Sequence, residues 1–298
     1  MNAQDNIPVT KGDRVGGKVA IVTGAGSVGE GFGNGRAAAV ALARQGAKVA
    51  LLDVNEASAE NTAKFIRDDG GECLVIQADV TSPESCRAAV QKTVDKWGRL
   101  DILVNNVGMS KVPGDATSVD LDAWDRAFRI NVTSMVLMVR YAVPEMKKNG
   151  GGSIINISSI TGMIGGHANL MYPTTKGALF NMTQTMAGHH GPDGIRVNAI
   201  SPGFLYTPVI STGGWLPEGF REARRNAGAI KTEGTGWDVA FGILFLASDE
   251  SRWITGVNLP IDAGVTATTP HFRNCSPSGQ LRQQSANWED EVKGVFKK

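Results

Sequence analysis

Residues 19–36 read Val-Ala-Ile-Val-Thr-Gly-Ala-Gly-Ser-Val-Gly-Glu-Gly-Phe-Gly-Asn-Gly-Arg, and an alanine-rich run, Ala37 to Ala43, follows. The opening stretch is short, rich in Val and Ile, and shows no polar alternation, as expected of a strand buried on both faces. The closing stretch has helix character. Between them lies a turn crowded with glycine. At a strand–turn–helix junction the free backbone N–H groups and the positive helix end converge on one spot, and glycines let a pyrophosphate approach it. A glycine-rich stretch alone is weak evidence, but this one has the required strand before it and helix after it. The plain alternative is a merely flexible turn.

Outward from this junction the alternation repeats. Strands are predicted at 49–53, 73–77, 102–105, 153–157, 196–200 and 256–260, with helices at 36–45, 57–69, 83–97, 121–148, 174–190 and 237–247. Such alternation predicts an α/β fold, a doubly wound parallel sheet of about seven strands with helices on both faces. Residues 1–15 read as an N-terminal tail and 16–268 as one domain. Within it, 204–235 form a Gly-, Pro- and Thr-rich loop of the length used for substrate lids. Residues 269–298 form a polar C-terminal extension. Its end carries helix signals, with Asn287 as cap and Trp288, Val292 and Phe296 on one face.

Hydrophobic residues make up 42% of the 298, enough for a sizeable core without disulfides. The net charge of +1 argues against nucleic acid or an anionic membrane surface as partner. Cys73, Cys86 and Cys275 lack metal-binding spacing, so neither a zinc site nor a disulfide framework is expected. No secretory h-region or long apolar run stands out, so the expectation is a cytoplasmic protein with no membrane span.

Asp53 closes the second predicted strand. A carboxylate there accepts from both hydroxyls of a ribose and repels a 2′-phosphate. No Lys or Arg directly follows it, which favours NAD(H) over NADP(H). The alternative is that Asp53 or Asn55 only caps the next helix.

Together with these features, a set of ordered motifs resembles the short-chain dehydrogenase/reductase family over roughly residues 17–266. The motifs are Thr23-Gly24 and the glycines after it, Asp79-Val80, Asn105-Asn106-Val107-Gly108, Asn131, Ser159, Tyr172-Pro-Thr-Thr-Lys176, Ser201-Pro-Gly-Phe-Leu-Tyr-Thr207, and the closing Ile261-Asp-Ala-Gly264. The phosphate loop departs from the family pattern by about five extra residues, so that Gly33-Asn34-Gly35 aligns as the inner glycine pair. Val107 replaces the usual Ala. The resemblance implies a Rossmann-like domain and a catalytic tetrad of Asn131, Ser159, Tyr172 and Lys176. It also implies cofactor contacts from Gly24, Ser27, Gly33, Asn34, Asp53, Asp79, Val80, Asn106, Tyr172, Lys176, Pro202, Leu205 and Thr207.

In this reading Tyr172 exchanges a proton with an alcohol or carbonyl oxygen while a hydride moves to or from the nicotinamide. A free phenol titrates near 10, too high for a good base at neutral pH. Lys176 lies one helical turn later on the same face, and its ammonium is expected to favour the phenolate. Ser159 is expected to hydrogen-bond the reacting oxygen. The resemblance gives Asn131 the task of holding a water that links Lys176 to solvent; the alternative is a satisfied core amide.

Substrate contacts are expected from Met109, His167, Phe204 and Trp215, an apolar and aromatic set suited to a hydrophobic or cyclic small molecule. No metal is implied: His189 and His190 are adjacent and share no helix face. Family resemblance implies a homo-oligomer, commonly a tetramer. Two rival readings are an NADPH-dependent biosynthetic reductase of a carbonyl, imine or enone, and a non-catalytic NAD(H)-binding protein. The intact tetrad argues against the second.

Overall fold

A computed structural model of the chain describes residues 8–211 and 219–268. Trp215 and the extension 269–298 lie outside the described residues. Seven strands, β1 (Val19–Thr23), β2 (Lys48–Asp53), β3 (Cys73–Gln77), β4 (Ile102–Asn105), β5 (Gly152–Ile157), β6 (Ile195–Pro202) and β7 (Asn258–Ile261), form one sheet in the order β3-β2-β1-β4-β5-β6-β7. Every pairing is parallel. The chain first runs outward from β1 to β3, then crosses back to place β4 beside β1. The carboxyl ends of β1 and β4 therefore diverge into loops on opposite sides, and such a switch point is where doubly wound sheets bind ligands.

The helices are α1 (Asn34–Arg44), α2 (Glu56–Asp68), α3 (Pro83–Trp97), α4 (Leu121–Phe128), α5 (Ser134–Lys148), α6 (Met171–His190), α7 (Pro208–Ser211), α8 (Phe220–Arg225) and α9 (Gly236–Ala247). They cover both faces. One core joins Ala20 and Val22 of β1 to α1, α2 and α9. The other joins Ile21 of the same strand to α3, α5 and α6. All five β1 residues are buried, which explains the continuous apolar run. Each fully buried Val, Leu or Ile contributes roughly 1.5–3 kcal/mol.

Three expectations need correction. The helix predicted over 121–148 is interrupted at Arg129–Thr133 by a π-turn. Helix α6 starts at Met171, earlier than predicted, because Pro173 sits in the first turn, where its missing N–H costs nothing. Residues 8–15 are not a loose tail. Val9 and Val15 are buried, Gly12 N–H donates to Arg44 O at 2.9 Å, and Gln45 Nε2 donates to Thr10 O at 2.7 Å.

Candidate active site

The glycine-rich turn is built around positions where no side chain fits. Gly24 has φ +62°, a conformation that favours glycine. A Cβ on Gly35 would stand 2.0 Å from Gly24 O, so α1 starts hard against the end of β1. Gly33 is the N-cap of α1 with no side-chain cap, which leaves the first N–H groups of the helix without intrahelical partners. Two buried polar atoms at this place, Ser27 Oγ and Asn34 Oδ1, have no hydrogen-bond partner. Free helix N–H groups, orphaned polar atoms and absent Cβ atoms are what a pyrophosphate needs. The residues present therefore fit a dinucleotide.

The extra residues of this loop are anchored. The Phe32 ring packs on Phe65 of α2 at 4.9 Å and on Trp237 of α9 at 4.6 Å, centroid to centroid. Arg36 is buried and donates to Gly31 O at 2.6 Å and to Thr62 Oγ1 at 3.1 Å. The insertion is thus tied to the fold at Gly31 and Phe32, while residues 28–31 are exposed.

Asp53 ends β2 beside the loop. Its Oδ2 accepts from Gly26 N–H and its Oδ1 from Asn55 N–H, both at 2.9 Å. Asn55, not Asp53, caps α2. Each Asp53 oxygen keeps a free lone pair. Asn106 ties the ends of β1 and β4 together by donating to Thr23 O and Gly24 O at 3.1 Å. Asp79 is exposed and Val80 buried, both just beyond β3.

The four tetrad positions converge beyond the carboxyl ends of β4 and β5. Ser159 follows β5 and caps the short turn Ile160–Gly162. Its hydroxyl stands beside the Tyr172 phenol and draws the phenol's titration down. The Lys176 ammonium is buried, 5.8 Å from the Tyr172 ring centre, and donates to Ile157 O at 2.8 Å. Asn131 occupies the π-turn, fully buried. Its Oδ1 accepts from Met109 N–H at 2.7 Å, and its amide donates to Met109 O and Thr175 Oγ1, both at 2.9 Å. Both amide hydrogens are taken, so the side chain fixes the loop after β4, and its Oδ1 keeps a second lone pair.

The electrostatics also depart from expectation. Burial pushes the Tyr172 phenol above its ordinary value, and only the Ser159 hydrogen bond pulls it down. Burial lowers Lys176 to about 8. In the protein alone, desolvation outweighs the help that lysine was expected to give the phenolate.

Tyr172, like Met109 and Trp124, packs against a small buried cluster of Val112, Ala127 and Met171. His167 is exposed, its ring 5.8 Å from that of Tyr172. Pro202 ends β6. Beyond it Leu205 bridges to Gly234, and Arg221 and Arg224 lie over the rings of Tyr206 and Phe204 at 3.9 Å and 5.1 Å. Thr207 is half-buried just before α7. Sequence reasoning placed Thr161 only within the stretch 160–169 expected to line the pocket and gave no role to its hydroxyl, which lies 3.0 Å from Ser159 Oγ. It missed Thr175, which receives the Asn131 amide and donates to Tyr172 O at 2.9 Å. Only its place inside Tyr-Pro-Thr-Thr-Lys hinted at Thr175.

Comparison with known proteins agrees with this geometry. A family model described as enoyl-(acyl carrier protein) reductase matches residues 30–266. The chain is 41% identical over 261 residues to trans-4-hydroxycyclohexanecarboxylate dehydrogenase of Sinomonas cyclohexanicum, covering 86% of this chain and 95% of that protein. It is 38% identical over 252 residues to 2,5-dichloro-2,5-cyclohexadiene-1,4-diol dehydrogenase of Sphingobium indicum, covering 85% and 97%. Among solved structures, a 7α-hydroxysteroid dehydrogenase complexed with NADH and 7-oxo glycochenodeoxycholic acid superposes with a TM-score of 0.78 at 31% identity, covering 89% of this chain and 98% of that one.

Proposed function

The chain belongs to the short-chain dehydrogenase/reductase family, and from that premise we propose that it interconverts a secondary alcohol and a ketone on a hydrophobic or cyclic small molecule, with NAD(H) as cofactor. The observation that carries this reading is the buried Lys176 ammonium 5.8 Å from the Tyr172 ring centre, with the buried Ser159 at the same carboxyl end of the sheet. Ser27, Asn34 and the first N–H groups of α1 would hold the pyrophosphate, and Asp53 the adenosine ribose. Bound nicotinamide would supply the hydride acceptor or donor.

The chain's own groups handle the proton. In alcohol oxidation the hydroxyl proton passes to Tyr172 Oη; in ketone reduction the same atom returns it. Ser159 donates a hydrogen bond to the substrate oxygen and stabilises the charge that develops there. Lys176, lowered to about 8, titrates close to working pH; when protonated it favours the phenolate. Asn131 keeps Met109 and the Val107–Gly108 turn in place. The space at Gly108 matters, since a Cβ there would stand 3.1 Å from Lys176 Nζ.

Two observations favour a cyclic substrate. Tyr172 borders an apolar cluster, and the related dehydrogenases are named for cyclohexane-type rings and a steroid. NAD(H) is favoured by the Asp53 carboxylate followed by Val54 and Asn55, which offer no cation to a 2′-phosphate. The test is reduction of NAD+ and of NADP+ during incubation with cyclohexanol, cyclohexanediols and hydroxysteroids, beside straight-chain and phosphorylated alcohols. Turnover of a cyclic alcohol, at least about tenfold faster with NAD+, is the expected result. A preference for NADP+ would refute the role of Asp53. Turnover of phosphorylated or straight-chain alcohols alone would refute the substrate class.

A further inference from the structure

We propose that Thr161 is a positioning residue that turns the Ser159 hydroxyl into a one-way hydrogen-bond donor aimed at Tyr172 and the reacting oxygen. The assignment rests on the reading of Tyr172 as acid/base. A serine hydroxyl carries one hydrogen to give and two lone pairs that accept. Thr161 N–H, which can only donate, lies 3.2 Å from Ser159 Oγ and occupies one lone pair. The Thr161 hydroxyl, at 3.0 Å, donates into the second. With both lone pairs filled, Ser159 has a single role left, to donate its own hydrogen, and on this proposal the neighbouring phenol oxygen receives it. That polarity favours the phenolate and leaves Tyr172 free to exchange its proton with substrate rather than with Ser159. When a substrate oxygen arrives, the same hydrogen is available to it.

The turn carrying Thr161 is held firmly enough to impose this. A Cβ on Gly162 would lie 2.5 Å from Gly177 N and 2.6 Å from Lys176 C, so the turn packs directly on the backbone of α6. Ser158 Oγ adds a bond to Lys176 O at 2.8 Å. The donor and the helix bearing Tyr172 and Lys176 are thereby fixed to each other. Both hydrogen bonds of the Thr161 N–H and hydroxyl go to Ser159, through which it acts.

Near-ultraviolet absorbance of phenolate during a pH titration reads this without any substrate. The chain has three tyrosines, and the component lost in Tyr172→Phe belongs to Tyr172. Thr161→Val keeps the size and the backbone N–H but removes the hydroxyl, so Ser159 regains an acceptor site and can take the phenol proton. The Tyr172 midpoint should then rise by about half a pH unit or more. Turnover with NAD+ should fall while KM for NAD+ stays unchanged, and Thr161→Ser should restore both. A Thr161→Val midpoint that is unchanged or lower overturns the proposal: the Ser159 hydrogen would then point at Thr161. If instead Tyr172→Phe itself retains full turnover, the acid/base reading fails and takes the proposal with it. An inactive Tyr172→Phe beside a normally titrating Thr161→Val condemns Thr161 alone.

Discussion

Burial governs the titration of Tyr172 and Lys176. Lys176 is lowered from 10.5 to about 8 because its ammonium is desolvated. Between those values the unfolded chain holds a proton that the folded protein has released. Stability therefore rises with pH from about 8 towards 10.5, by at most about 1.4 kcal/mol per pH unit, and the penalty is fully present below pH 8. Tyr172, raised by burial, acts in the opposite sense only above about 10, where the folded state keeps a proton that the unfolded chain loses. The urea midpoint of the protein should accordingly climb between about pH 8 and pH 10, and Lys176→Met should flatten that climb. Equal slopes in the two proteins would show that the ammonium is not desolvated. The spacing of Tyr172 and Lys176 was legible in the sequence because one helical turn places them on one face. The direction of their titration was not, since it depends on how completely β5 and the turn after it cover them.

At the level of elements, the strand–glycine–helix junction behaves as its composition predicts, but its tolerance is uneven. Gly35→Ala would drive a Cβ to 2.0 Å from Gly24 O and 2.7 Å from Asn106 Nδ2. The start of α1 must then move, at a cost of about 1–3 kcal/mol, and NADH affinity should fall with it. Gly188→Ala, on α6 with nothing within 4 Å of its Cβ, is the control: helix propensity makes it neutral or stabilising by about 0.5–1 kcal/mol. Melting temperatures and NADH fluorescence titrations of both variants check this, and an unperturbed Gly35→Ala would contradict the close approach. The π-turn at Arg129–Thr133 was hidden from the sequence. It answers to contacts from Met109 and Thr175, remote in the chain, which draw Asn131 inward. Likewise the lengthened loop read only as an insertion. Its anchoring by Phe32 needed Phe65 and Trp237 to come together in space.

Across the whole molecule, the sheet order puts the residues of the proposed site at one end. The glycine-rich turn follows β1, Asp53 ends β2, Asn106 follows β4, Ser159 follows β5, and Pro202 ends β6. A cavity of about 560 Å³ at the opposite end is lined by Lys18, Asp101, Ser153 and Arg196. Its Lys18 is already paired with Asp249 at 2.5 Å, and Arg196 donates to Leu246 O at 2.8 Å. The fold class was legible because short runs rich in Val, Ile and Leu alternate with helix-length segments. The side of the sheet each helix covers, and the docking of residues 8–15 on α1, depend on tertiary packing that no local pattern records. The central claim is that Tyr172 moves the proton in an NAD(H)-dependent hydride transfer. Its most direct test compares NADH formation from a cyclic alcohol by the wild-type protein and by Tyr172→Phe, alongside NADH binding by nicotinamide fluorescence. The account predicts a loss of turnover of about 10²–10⁴-fold or more in the variant with NADH still bound. Normal turnover in Tyr172→Phe would contradict it.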